Sequence, residues 1–231
     1  MHNTYQTRRA ELQTYFDETA SVTWQKLTSN APVSGIRATV RAGREAMHNE
    51  VLSWLPDDMG GLRVLDAGCG TGTFAVAAAK RGAEVVAIDI ARSLVETAAE
   101  RLLDPVLRNR ITWRVGDMTR MDLGEFDHMV AMDSIIHYEA PDMAAMVAKI
   151  LPRIRRSAIF TYAPRTPLLL AMHAAGKFFP RSDRAPAIVP VSGSRLMDLL
   201  AAETNDAWQP GLKHRVNSTF YISEAREIIR R

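Results

Sequence analysis

The chain of 231 residues contains one cysteine, Cys69, so no disulfide can form within it. A small secreted scaffold stapled by disulfides is thereby excluded. Cys69 stands inside a glycine run, where a small packed residue is expected rather than a nucleophile. No uninterrupted run of about 18 apolar residues occurs, which excludes a strongly apolar membrane-spanning helix. The opening stretch "MHNTYQTRRAELQTYF" carries basic residues with no apolar segment behind them, so no secretory leader is expected and a cytoplasmic location is. Aromatic residues are few at 7%, and the charge excess is only +3, from 29 basic and 26 acidic residues. There is no internal repeat and no low-complexity tract.

What is plentiful is apolar residue, at 47%, the composition of a soluble globular protein. The length suits one mixed domain with extensions. Charge is unevenly spread: between Arg153 and Arg184 Lys and Arg crowd together with Asp183 as the sole acid. Such a stretch attracts an anionic substrate, an anionic membrane surface or a nucleic-acid backbone, or is simply a solvated surface.

From Leu62 to Tyr162 short apolar runs alternate with helical patterns: "LRVLDAG", "AEVVAID", "RITWRVGD", "DHMVAMD" and "SAIFTYA" are the strands. Alternation with strands this apolar predicts a parallel sheet covered on both faces. Gly82 is expected to end one helix, and Pro141 with Asp142 to open another. Residues 1–55 predict a helical arm, 56–163 a cofactor-binding core, 164–192 a lid-like insertion with five prolines, and 193–231 a helix and two antiparallel strands. The expected fold is therefore a single α/β domain, doubly wound and Rossmann-like, mostly parallel, closing on an antiparallel hairpin.

In such a sheet the ligand lies beyond the C-terminal strand ends. "VLDAGCGTG" places Gly68, Gly70 and Gly72 after the first strand, where a backbone without side chains lets a ligand approach. A dinucleotide fingerprint would be Gly-x-Gly-x-x-Gly. Here the third glycine comes one residue early, and Asp66 stands before the first, where it would repel a pyrophosphate and attract an ammonium group. S-adenosylmethionine fits, because it carries an ammonium, a sulfonium and a ribose diol but no phosphate. Asp89 is placed to accept the ribose hydroxyls. Asp117, in "VGDMT", can accept the adenine amino group while Met118 packs on the ring. Ile90 and Met132, at the ends of strands two and four, complete the expected contacts, with Arg41 or Arg44 of "RAGR" clamping a carboxylate of cofactor or substrate.

The motifs "VLDAGCGTG", "VVAIDIA" and "VGDM" resemble those of class I S-adenosylmethionine-dependent methyltransferases. The flanks "TYFDETASVTWQKL", "IRATVRAGREAM", "SIIHYEAPDMAAMV", "FTYAPRTPLL" and "STFYISEAREIIR" resemble the magnesium protoporphyrin IX O-methyltransferase family of bacteriochlorophyll and chlorophyll synthesis. That resemblance implies methyl transfer from S-adenosylmethionine to one propionate of magnesium protoporphyrin IX, leaving S-adenosylhomocysteine, with the magnesium belonging to the substrate and no protein-bound metal. It implies a catalytic role for His137, which on chemistry alone would hydrogen-bond the carboxylate, ligate the porphyrin magnesium, or merely cap the helix near Pro141. Many members carry a tyrosine where this chain has Thr28, so Thr28 or the nearby Tyr15 is left to stand in for it. Tyr138 and Arg165 are further expected substrate contacts. Contact with the magnesium chelatase and with the photosynthetic membrane is also expected, the insertion around "PLLLAMHAAGKFF" being lid, interfacial segment or core helix. A nucleic-acid substrate is not expected, because "MDSIIHY" replaces the Asn/Asp-Pro-Pro-aromatic segment of amino-methylating enzymes. Other small-molecule methyltransferases and a non-catalytic tetrapyrrole carrier remain alternatives.

Overall fold

Five apolar runs form the parallel part of one seven-stranded sheet in the computed structural model, which describes residues 3–19, 35–167, 169, 187–205, 207–218 and 220–231. The strands are β1 (Arg63–Ala67), β2 (Glu84–Asp89), β3 (Ile111–Val115), β4 (Phe126–Ala131) and β5 (Ile154–Tyr162), followed by β6 (Trp208–Ser218) and β7 (Tyr221–Arg230). Their order is β3-β2-β1-β4-β5-β7-β6, and β7 runs antiparallel to both β5 and β6. β1 lies between β2 and β4. The connections leave in opposite directions there, which opens a crevice at the C-terminal strand ends.

The helices are α1 (Asn3–Thr14), which runs into a π-helical turn at Tyr15–Thr19, α2 (Gly35–Ser53), α3 (Thr73–Lys80), α4 (Arg92–Arg101), α5 (Pro105–Arg108), α6 (Ala140–Ile150) and α7 (Gly193–Thr204). Successive residues of a strand point to opposite faces, so the central strands feed two cores. Leu65, Met129 and Phe160 pack with Tyr5, Met143 and Leu196 on one side. Val64, Val130 and Ile159 pack with Met47, Phe74 and Val95 on the other. This explains why β4 is buried almost throughout, whereas the edge strand β6 is mostly exposed. Burying such side chains contributes about 1.5–3 kcal/mol each relative to exposure.

The strands, the closing hairpin and the helix starting at Pro141 lie where the sequence places them. Gly82, at φ 98°, ends α3 as expected. α1 opens the expected helical arm at Asn3, and Tyr5 is drawn into the core. α5 is an unexpected short helix, started when the Asp104 side chain accepts from Val106 N at 2.8 Å and Leu107 N at 3.3 Å. Most of the expected lid, 168 and 170–186 with Phe178 and Phe179, lies outside the described residues, as does Thr28.

Gly72, expected to face the cofactor, has a packing role. It sits at φ 77° at the start of α3, and a Cβ there would come within 2.4 Å of the Trp113 ring. Gly72→Ala combines left-handed strain with overpacking and is expected to cost about 2–4 kcal/mol in urea unfolding. A loss below 0.5 kcal/mol would show that this contact relaxes freely.

Candidate active site

The crevice above β1 and β4 is a cleft of ≈ 980 Å³ of empty space, counting the open solvent at its mouth. Its floor is the turn after β1. Gly68 N and Cys69 N donate to Ile88 O at 2.8 and 3.0 Å, and Gly70 N donates to Asp89 Oδ2 at 2.8 Å. Gly68 holds φ 84°, and a Cβ there would sit 2.1 Å from Ser134 Cβ, so glycine is required. Cys69 is buried in the turn, and burial pushes its thiol well up, which suits the packing role expected of it.

Asp66 is 2% exposed and accepts from Ala75 N at 3.1 Å. Burial raises its pKa to about 7, opposed by the Ala75 N–H and reinforced by Asp89. Asp89 also accepts from Ala91 N at 2.9 Å, and loss of hydration raises its pKa despite these backbone donors. Both acids therefore line a cleft in which a cationic ligand would favour their charged forms. Asp117 shows a different signal. Its Oδ1 accepts from Tyr5 Oη at 2.8 Å, Thr119 N at 2.9 Å and Thr119 Oγ1 at 2.7 Å, while its buried Oδ2 makes no hydrogen bond and lies 3.5 Å from Arg120 Nε and 4.0 Å from Arg9 Nε. These ion pairs offset its charge, and a ligand amino group would supply the hydrogen bond it lacks. Ile90, Met118 and Met132 line the same cleft. These residues fit S-adenosylmethionine: Asp66 for the ammonium, Asp89 for the ribose, Asp117 with Met118 for the adenine.

The arm closes the cleft from above. Tyr5 stacks on Tyr138 with ring centroids 5.4 Å apart, Thr4 Oγ1 donates to Asp142 at 3.2 Å, and Asp17 accepts from Ser93 N at 3.0 Å. Burial lifts the Tyr5 phenol to about 12, so it remains a donor toward Asp117. His137 is 8% exposed and lines both this cleft and a neighbouring groove under α1 that includes Thr7, Arg8 and Val189. Its Nδ1 lies 3.3 Å from Ala187 O, and its ring lies 6.0 Å from that of Phe16. The helix cap is Glu139, so His137 does not serve as one.

Sequence reasoning did not single out Tyr5, Phe16 or Asp133. Asp133 is a buried hub at φ 53°: Arg44 donates to it at 2.8 Å, Tyr221 Oη lies 3.0 Å from Oδ2, and Thr161 Oγ1 donates at 3.2 Å. The "MD" after strand four was a legible signal for an acid at a strand end; its partners come from distant segments. Arg44 lines the cleft, whereas Arg41, three residues earlier on α2, does not. Tyr15 packs edge-on against Phe16 at 5.3 Å and is not itself a lining residue. Tyr138 lines the cleft; Arg165 lies in a separate one.

Fold and strand-end acids together define a class I S-adenosylmethionine-dependent methyltransferase. Residues 64–156 match the family model described as a methyltransferase domain, and residues 131–230 match that of the magnesium-protoporphyrin IX methyltransferase C-terminus. The magnesium-protoporphyrin O-methyltransferase of Rhodobacter capsulatus is 44% identical over 98% of this chain and 99% of its own. That of Synechocystis is 25% identical over 94% of each. The crystal structure of the Synechocystis enzyme with bound S-adenosylhomocysteine superposes with TM-score 0.85 at 24% identity, covering 96% of this chain and all of that one. The chain belongs to the magnesium-protoporphyrin O-methyltransferase family.

An ammonium beside Asp66 favours its charged form, so protons compete with the cofactor below the Asp66 pKa of about 7. Affinity for S-adenosylhomocysteine is expected to weaken by up to about tenfold per pH unit as pH falls from 7 to 5.5. Calorimetric titrations should show that slope in the wild type and a flatter one in Asp66→Asn; a flat wild-type profile would contradict the assignment.

Proposed function

We propose that this protein transfers the methyl group of S-adenosylmethionine to a propionate of magnesium protoporphyrin IX, forming the monomethyl ester. The observation that carries the reading is the near end-to-end match to the Rhodobacter capsulatus enzyme, spanning the cofactor cleft and the His137 side alike. The bound cofactor supplies an electrophilic methyl carbon on a positive sulfur. A propionic acid titrates near about 4.3 and is already a nucleophile at neutral pH, so no strong base is required. The protein's work is alignment, holding reacting atoms about 3–3.5 Å apart, and exclusion of water. The Tyr5–Tyr138 stack and the Phe16 ring over His137 supply an apolar cover for that purpose.

His137 Nδ1 can bond the Ala187 carbonyl only as a donor, which leaves Nε2 as the acceptor of the neutral ring. An incoming carboxylate favours the imidazolium, whose Nε2–H would orient it; the neutral ring would instead offer a lone pair to the porphyrin magnesium. Tyr15 and Thr28 remain proposed substrate contacts, and Arg41 a proposed contact to a carboxylate. Among the described residues no helix is long and apolar enough to cross a membrane. The basic stretch after β5 supports a proposed cytoplasmic enzyme that touches the photosynthetic membrane peripherally, and substrate hand-over motivates proposed contact with the chelatase. Vesicle co-sedimentation and pull-down of the chelatase porphyrin-binding subunit test these two contacts.

Titration with magnesium protoporphyrin is expected to shift its Soret band, with ester appearing only after S-adenosylmethionine is added. No porphyrin binding would remove the reading, and a shift without ester would make the protein a carrier. His137→Ala should lower kcat more than about tenfold while S-adenosylhomocysteine affinity stays within about threefold; unchanged turnover would take His137 out of the site.

A further inference from the structure

A second cleft at the C-terminal end of β5 is lined by four cations, Arg165, Lys213, Arg215 and Arg226, around one acid, Glu224. The Glu224 side chain is 1% exposed and accepts from Arg215 Nε and Nη2 at 2.8 and 2.6 Å, from Arg226 Nε at 3.2 Å and from the Tyr162 hydroxyl. Lys213 Nζ lies a further step away at 3.7 Å. One carboxylate is thus shared among three of the four cations, Lys213, Arg215 and Arg226, and the cleft retains a positive excess. Ser192, at the start of α7, makes no side-chain cap bond, so the first N–H groups of that helix add to the same positive field.

This cleft is tied to His137 by a short strap. At one end Ala187 O meets His137 Nδ1 at 3.3 Å, and Val189 N donates to Ile136 O at 2.9 Å. At the other, Val191 N donates to Ala163 O and Arg165 N donates to Val191 O, both at 2.9 Å. Residues 187 and 191 are four steps apart, which limits the strap to about 14 Å. Between its ends the side chain of Ile188 is 44% exposed, an apolar surface between a reacting site and a cationic one.

We propose that the cleft of Arg165, Lys213, Arg215 and Arg226 binds the carboxylate that does not react, holding a dicarboxylate macrocycle along the strap with its other carboxylate at His137. This rests on the functional reading above. Protoporphyrin carries two propionates side by side on one edge of an apolar ring, so one carboxylate can reach the cations and the other His137 while the edge between them meets the strap. The same arrangement accounts for transfer to one carboxylate only. A second transfer would require the methyl ester to occupy the cationic cleft, exchanging an ion pair for a weaker hydrogen bond to a neutral carbonyl.

Arg165 and Lys213 can be removed while Arg215 and Arg226 still pair Glu224. The double variant Arg165→Ala/Lys213→Ala should raise KM for magnesium protoporphyrin about tenfold, the equivalent of one charge-assisted anchor, with kcat and S-adenosylhomocysteine affinity within about twofold. Arg165→Lys/Lys213→Arg should restore KM. A magnesium protoporphyrin methylated on its non-reacting propionate should bind the wild type about tenfold more weakly than the diacid and be insensitive to the double variant. An unchanged KM for the diacid in a variant that still forms ester overturns the inference and leaves the functional reading intact. An equal rise in KM for both compounds overturns it too, by showing a general charge effect. Absence of ester from the wild type with either compound would remove the reading and the inference together.

Discussion

Asp66 and Asp89 are carboxylates that the fold takes out of water while giving them backbone N–H groups as hydrogen-bond partners. The charged neighbours that raise their pKa values are other acids, Asp89 acting on Asp66 and Asp17 acting on Asp89. A buried and a half-buried acid close together oppose folding unless something offsets them. The arrangement persists because the same groups hold the turn after β1: Asp89 fixes Gly70, and Asp66 fixes the first turn of α3. A cofactor ammonium and sulfonium would complete what the protein leaves incomplete, and structure and ligand selectivity would then have one cause.

The rest of the site is arranged around that turn. Tyr5 reaches down from the arm to Asp117, so the segment that covers the cleft is fastened to the acid that follows β3. Gly68 is pressed against Ser134, which hydrogen-bonds Ala67 O at 2.7 Å and connects the turn to the end of β4. The next residue back, Asp133, ties Arg44 of α2, Thr161 of β5 and Tyr221 of β7 into one buried network. Cofactor binding and the acceptor wall are therefore mechanically adjacent, with His137 four residues beyond Asp133.

The sheet and the three strand-end acids were legible because their determinants are local: apolar runs of strand length, left-handed glycines and acids at fixed offsets. The packing of Gly72 was not legible because its neighbour, Trp113, comes from β3, and sequence spacing carries no information on that contact. Asp133 and Tyr5 were missed for the same reason, their partners lying 88 and 112 residues away. Arg41 and Arg44 share a motif and, three residues apart, one face of α2, so spacing did not show which of them lines the cleft; Arg44 does, held 2.8 Å from Asp133. Arg165 was an expected substrate contact; the cleft around it required the antiparallel hairpin to bring Lys213, Arg215 and Arg226 alongside.

The claim that the ligand's ammonium completes Asp66 is tested most directly by comparing S-adenosylhomocysteine with its analogue lacking the α-amino group. Calorimetry at pH 7 on the wild type and on Asp66→Asn gives a complete cycle. The account predicts that removing the amino group weakens binding about tenfold or more in the wild type and less than about threefold in the variant, the difference being one charge-assisted contact. Equal losses in both proteins would contradict it.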